Sequence, residues 1–253
     1  MKSSIGRDLI MVRQPDSIFQ AHGIIENGTF DGRWHFSFDQ YFDRDFSHFG
    51  TLRVFNDDTL SPGATWPLHS HRNVEVVTYC AAGVFRHADQ DGRGHILRKG
   101  WVQHTTVGRG MSHSEINDSA GEPMRFIQMW FLPRETDLEP SLQQKPVERA
   151  ERTNKLLALV SNKDEGALPI ASDARVFSSF LEKEMAVGFE LDIGRAAYLY
   201  VLEGGPVRIN GHEVPALGAA RIIGGQELRI KAETGAELLF VEVPLAVSNR
   251  AMI

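Results

Sequence analysis

The sequence predicts an all-β protein built as a sandwich or barrel, and three observations carry that prediction. Short β-branched and aromatic runs recur between turn residues, the turns hold residues that tolerate positive φ, and long amphipathic helical patterns are scarce. In order, the runs cover residues 51–55, 74–79, 95–98, 126–132, 197–202, 228–231 and 238–243. Asp91-Gly92-Arg93-Gly94 and Asn210-Gly211 supply the backbone freedom that tight hairpins need. The run from Phe126 to Phe131 is apolar on both faces, which suits a strand covered on both sides.

Between Pro133 and Glu151 the strand-like runs stop, and Pro133, Pro140 and Pro146 stand among charged and polar residues. The reading is an N-terminal domain over 1–135, a linker over 136–150 and a C-terminal domain over 151–253. Residues 198–211 repeat the strand, turn, strand rhythm of the first half, so the second domain reads as a degenerate copy of the first.

At 253 residues, 42% hydrophobic and 24% charged, the chain has the composition of an ordinary folded protein. Its net charge of −6 argues against nucleic acid as an obligate ligand, because phosphate binding requires a concentrated Lys/Arg surface. No stretch approaches the ~20 apolar residues of a membrane span, and the first residues lack the apolar core of a signal peptide. The expected location is the cytoplasm. The single cysteine, Cys80, excludes an intrachain disulfide, and its place at the end of the apolar run 76–80 makes it a core residue.

The chemistry-bearing segment runs from Gly63 through His69, His71 and Glu75, followed by Gly108, Gly110, His113 and Glu115. On a β-strand residues i and i+2 point to one face, ~7 Å apart along the chain, so His69 and His71 can converge on one ion. Glu75 has the same parity. His113 and Glu115 repeat the arrangement on a second segment, and two such strands facing one another would enclose a metal at ~2.0–2.2 Å. The chain has ten histidines. Only this one H-x-H occurs among them, so the pairing is not a by-product of a His-rich tract.

These residues resemble the two motifs of the cupin superfamily, G-x5-H-x-H-x3,4-E-x6-G and G-x5-P-x-G-x2-H-x3-N. The first is met by Gly63, His69, His71 and Glu75, with Gly83 one residue late; the second by Gly110, His113 and Asn117, with Gly108 where proline is usual. Within cupins the chain is similar to the pirin family, and to its bacterial quercetinase-like members, through residues 34–38, 52–58, 69–79 and 108–115. The resemblance implies a bicupin: two β-barrel or jelly-roll cupin domains in one chain. It also implies that the fourth ligand is Glu115, beside His69, His71 and His113, and that Glu75 hydrogen-bonds a ligand imidazole instead. The second half has only His212, so one metal per chain is expected.

Three imidazoles and a carboxylate leave coordination positions open, which suits a catalytic ion. By resemblance the activity is a flavonol 2,3-dioxygenase acting on a small aromatic substrate and O2, with Fe(II) as the metal and Ni, Cu, Co, Mn or Zn accepted by the same donors. Glu115 would take the substrate's hydroxyl proton, a role that requires a raised pKa or a loosened metal bond. The competing reading is a metal-containing regulatory or redox-sensing protein with a protein partner. An apolar cleft beside the metal would favour the enzyme, and a charged partner surface the regulator. Arg72 and His104 are candidates for the pocket entrance or the barrel rim. Phe36, Phe38, Tyr41, Phe42, Phe46 and Phe49 read as core or as an apolar wall, Asp57 and Asp58 as a turn, and His22, His35, His48, His87 and His95 as structural or exposed.

Overall fold

The structure is a computed structural model and describes residues 9–90 and 94–246. The Asp91-Gly92-Arg93 turn lies outside the described residues. The N-terminal half supplies β1 (Ile10–Arg13), β2 (Phe19–Ile25), β3 (Gly28–Trp34), β4 (Leu52–Leu60), β5 (Thr65–His71), β6 (Glu75–Ala82), β7 (Val84–Asp89), β8 (Gly94–Arg98), β9 (Val102–Thr106), β10 (Met111–Ile116), β11 (Met124–Phe131) and β12 (Ser141–Lys145). The C-terminal half supplies β13 (Leu157–Val160), β14 (Arg175–Leu181), β15 (Ala186–Leu191), β16 (Arg195–Gly204), β17 (Val207–Ile209), β18 (His212–Val214), β19 (Ala219–Ile223), β20 (Gln226–Ala232) and β21 (Ala236–Pro244). Each predicted run falls on a strand to within one residue at its ends.

Each half is a pair of antiparallel sheets. In the first, a seven-stranded sheet ordered β12-β9-β6-β11-β4-β3-β2 packs on a four-stranded sheet ordered β5-β10-β7-β8. Trp34, Leu60, Cys80, Phe85, Leu97 and Phe126 fill the space between them. In the second, a six-stranded sheet ordered β1-β19-β16-β21-β14-β13 accompanies a four-stranded sheet ordered β15-β20-β17-β18. Strand β1 is the first described strand yet pairs within the C-terminal half, and β12, inside the segment 136–150 read as a linker, pairs with β9 of the N-terminal half.

The alternation of strand side chains decides which core each residue joins. On β11, Phe126 faces the N-terminal interior, whereas Ile127 and Met129 join a third core between the halves. There they meet Phe55, Val77 and Tyr79 from β4 and β6, and Tyr198, Tyr200, Leu239 and Val241 from β16 and β21. The two large sheets therefore pack back to back, which is why residues 126–131 are apolar on both faces. Asn210 (φ 47°) and Gly211 (φ 91°) form the predicted tight turn between β17 and β18.

Asp57 and Asp58 correct the sequence reading, because both lie within β4 and are buried. Arg125 Nε and Nη2 grip the two oxygens of Asp57 at 2.7 Å each, and the Tyr200 hydroxyl donates to the same carboxylate from the other half. Asp58 accepts the Trp34 indole N–H at 3.0 Å, and burial pushes its carboxyl well above the usual carboxylate range. No turn would compensate two buried carboxylates in this way; neighbouring strands do. Cys80 is buried, and burial pushes its thiol up to about 11. No helix among the described residues is long and apolar enough to cross a membrane.

Candidate metal centre

Strands β5 and β10 are antiparallel neighbours with His113 directly opposite His69. His71 follows two residues on, so three imidazoles gather on one patch of the sheet, their ring centroids 4.6, 4.6 and 5.1 Å apart. One nitrogen from each lies within 4.8 Å of the others, a cluster that one ion can bridge. After His113 the register slips: Glu115 pairs with Trp66, leaving an extra residue on β5. The glycines before β10 have a steric reason, since Gly108 sits at φ 52° and a Cβ there would run into the Leu138 carbonyl.

The hydrogen bonds fix how these imidazoles present their lone pairs. His69 Nδ1 lies 2.7 Å from the Pro67 carbonyl, which can only accept, so the proton is on Nδ1 and Nε2 carries the lone pair. That Nε2 faces His113 Nε2 at 3.1 Å. His71 Nε2 is buried with no hydrogen-bond partner among the described residues, an arrangement that costs stability unless something accepts its lone pair. Burial, with a smaller contribution from the neighbouring His69, lowers the His71 imidazole to about 4; burial and the neighbouring histidines lower His113 to about 2. Both are therefore neutral near pH 7 and ready to ligate.

Glu115 is buried on the same strand but stands outside the three-imidazole group. Its Oε1 accepts a hydrogen bond from Gln128 Nε2, and Gln128 Oε1 accepts the Trp130 indole N–H at 2.7 Å. Burial raises the Glu115 carboxyl above its ordinary value, against the opposing pull of His69 and Gln128. That rise depends on tertiary burial, which no motif encodes.

The sequence reading of Glu75 needs correcting. Strand β5 ends at His71, Asn73 turns the chain at φ 53°, and Glu75 opens β6 in the other sheet. Its Oε2 accepts from His104 Nε2 at 2.8 Å, Thr106 Oγ1 at 3.0 Å and the Ala171 amide at 3.0 Å, so its partners are not ligand imidazoles. His104 is accordingly buried in the sheet and does not line an entrance. Arg72 is exposed at the rim and paired with Asp137. His87, read as structural or exposed, is buried with Nε2 2.9 Å from His113 Nδ1. Its odd number matches the site-facing parity, but only the pairing of β7 with β10 brings it there.

His71 borders two cavities. One of about 370 Å³ is walled by Phe38, Val54, Val74, Trp130 and Leu132, with Arg53 and Arg72 among the polar residues around it. The other, about 480 Å³, is more polar and includes His87, Asp89, His95 and Leu142. Of the other aromatics singled out, Phe36 and Phe49 are core and Phe42 is exposed.

A pirin-like protein of Caulobacter vibrioides is 34% identical over 226 residues, spanning 88% of this chain and 97% of that one. The chain belongs to the pirin family. The family profile described as Pirin matches residues 18–131, and one described as the quercetinase C-terminal cupin domain matches 158–243, so both halves are cupin domains. A relative from Escherichia coli K12 named quercetin 2,3-dioxygenase is 30% identical over 223 residues, 88% of this chain and 95% of its own length. The crystal structure of the E. coli bacterial pirin YhhW in complex with nickel(II) superposes with a TM-score of 0.85 at 27% identity, covering 94% of this chain and all of that one.

Proposed function

We propose that the chain is a metal-dependent dioxygenase that cleaves the ring of a flavonol such as quercetin. The observation that carries this reading is the buried Nε2 of His71, without a hydrogen-bond partner among the described residues, set in a cluster of three imidazoles and bordering an aromatic-walled cavity. The name of the E. coli relative, quercetin 2,3-dioxygenase, and the nickel(II) complex of YhhW support it.

His69, His71 and His113 would hold one divalent transition metal through Nε2, and Glu115 through its carboxylate. Fe(II) is the proposed ion, and nickel, copper, cobalt, manganese and zinc suit the same donors. When bound, the metal supplies Lewis-acid stabilisation to the deprotonated hydroxyl of the substrate. The chain's own residues do the rest. Phe38 and Trp130, edge to face at 5.5 Å, offer a wall for a flat ring, and a cavity of about 370 Å³ falls within the usual ~300–1,000 Å³ of small-molecule sites. Glu115 accepts the hydroxyl proton and Gln128 holds the carboxylate in place. One O2 is consumed per flavonol and no external reductant is required, because the cleaved ring supplies the electrons. The aromatic lining favours a substrate pocket over a regulatory partner surface at the same place.

The test is purification without added metal or chelator, transition-metal quantification, and aerobic quercetin loss for wild type, His69→Ala and Glu115→Ala. About one metal per chain with turnover, metal lost in His69→Ala and turnover lost in Glu115→Ala are the expected results. Metal without turnover under any reconstituted ion would favour the regulatory reading. A wild type that binds no metal after reconstitution would overturn the ligand assignment.

A further inference from the structure

His87 is a buried imidazole against the cluster that the ligand set leaves unused. It sits on β7, where register places it opposite Glu115 and its neighbour Asp89 opposite His113. From there it reaches diagonally to His113, Nε2 to Nδ1 at 2.9 Å, with the rings 4.8 Å apart and nearly perpendicular.

A neutral imidazole that offers Nε2 to a metal carries its proton on Nδ1. On His113 that proton points at His87 Nε2. We infer that His87 is a positioning residue: it accepts the Nδ1–H of His113, selecting the tautomer that frees Nε2 and fixing the plane of that ligand ring. The inference rests on the metal reading above. The two facing ligands thus have different supports. His69 is oriented by the Pro67 main-chain carbonyl, which no side-chain substitution removes, whereas His113 depends on a side chain. His87 also lines the cavity of about 480 Å³ that His71 borders.

The test compares wild type, His87→Leu and His87→Gln. Leucine removes the acceptor, and the glutamine amide oxygen replaces it. Nickel(II) titration by calorimetry is expected to show His87→Leu weakened about 10–100-fold, the usual effect of losing a partner that orients a metal-bound histidine, and His87→Gln within about threefold of wild type. In the zinc(II)-loaded protein, the His113 Nδ1 proton is expected as a downfield, slowly exchanging NMR signal in wild type and His87→Gln, and to be lost in His87→Leu. Equal affinity in His87→Leu would overturn the inference, and so would a glutamine variant as weak as the leucine one, which would make the role one of packing. A wild type that takes up no nickel would overturn the metal reading and this inference with it, whereas nickel-binding wild type with an unaffected leucine variant overturns the inference alone.

Discussion

The indole N–H of Trp130 donates to Gln128 at 2.7 Å, and that bond decides which way the Gln128 amide faces. An indole nitrogen can only donate, so Oε1 must turn toward it and the NH2 group toward Glu115. The NH2 group in turn needs an acceptor, which the Glu115 carboxylate provides. Gln128→Leu would leave both Trp130 and Glu115 without this partner. Its expected effect is a loss of at least about tenfold in kcat for quercetin, with metal content unchanged, because an unsatisfied buried polar group costs about 1–3 kcal/mol and lets the carboxylate move. Steady-state kinetics beside metal quantification check this, and Gln128→Glu, which places two carboxyls together, is expected to be worse than Gln128→Leu.

Asp57 is fully buried and Arg125 only partly so, and their bidentate pair ties β4 to β11 while Tyr200 adds a bond from the other half. Arg125→Met strands a buried carboxylate, and an uncompensated charge of this kind typically costs about 3–5 kcal/mol. The double variant Asp57→Asn with Arg125→Met is expected to recover part of that loss, since a neutral amide oxygen still accepts the Tyr200 hydroxyl. Urea unfolding of the two variants measures the difference.

What the sequence displays and what it hides follow from range. Strand positions, the tight turn at Asn210 and the parity of His69, His71, His113 and Glu115 are local properties, set by alternation and turn chemistry. The packing of the two large sheets, the exchange of β1 into the C-terminal half and the approach of His87 to His113 depend on pairing between distant strands. Glu75 shows the limit of parity. Counting by twos from His71 assumes one continuous strand, and the turn at Asn73 sends Glu75 into a different sheet. Gln128 had a signal, a lone amide in an apolar run, but its role follows only from its contacts.

His35 is buried between the halves, its Nδ1 2.8 Å from the Tyr198 hydroxyl. Burial, followed by the nearby charges of Arg13 and Arg33, holds its imidazole well below the ordinary value of 6.5. The unfolded chain therefore binds a proton near pH 6 that the folded one refuses, so this contribution is intact above about 6.5 and drains as pH falls. Its slope approaches about 1.4 kcal/mol per pH unit. His35→Phe is expected to be less stable than wild type at pH 7.5 yet to lose less stability between pH 7 and 5. Asp58 and Glu115, whose carboxyls are raised, oppose this trend equally in both chains, so the comparison isolates His35.

Metal uptake should register as stability, because the imidazoles converge only in the folded chain. A ligand that binds the native state alone adds about 2.7 kcal/mol at a concentration one hundred times its Kd. Nickel(II) at that excess is expected to raise the Tm of wild type by several degrees. His113→Ala removes one nitrogen of the cluster and the partner of both His69 and His87. The same nickel concentration should then shift its Tm little or not at all. The metal-free Tm of the variant provides the control, since loss of a buried imidazole lowers stability by itself and the difference between loaded and unloaded forms removes that term. Thermal scans of both proteins with and without nickel therefore report on the site independently of turnover.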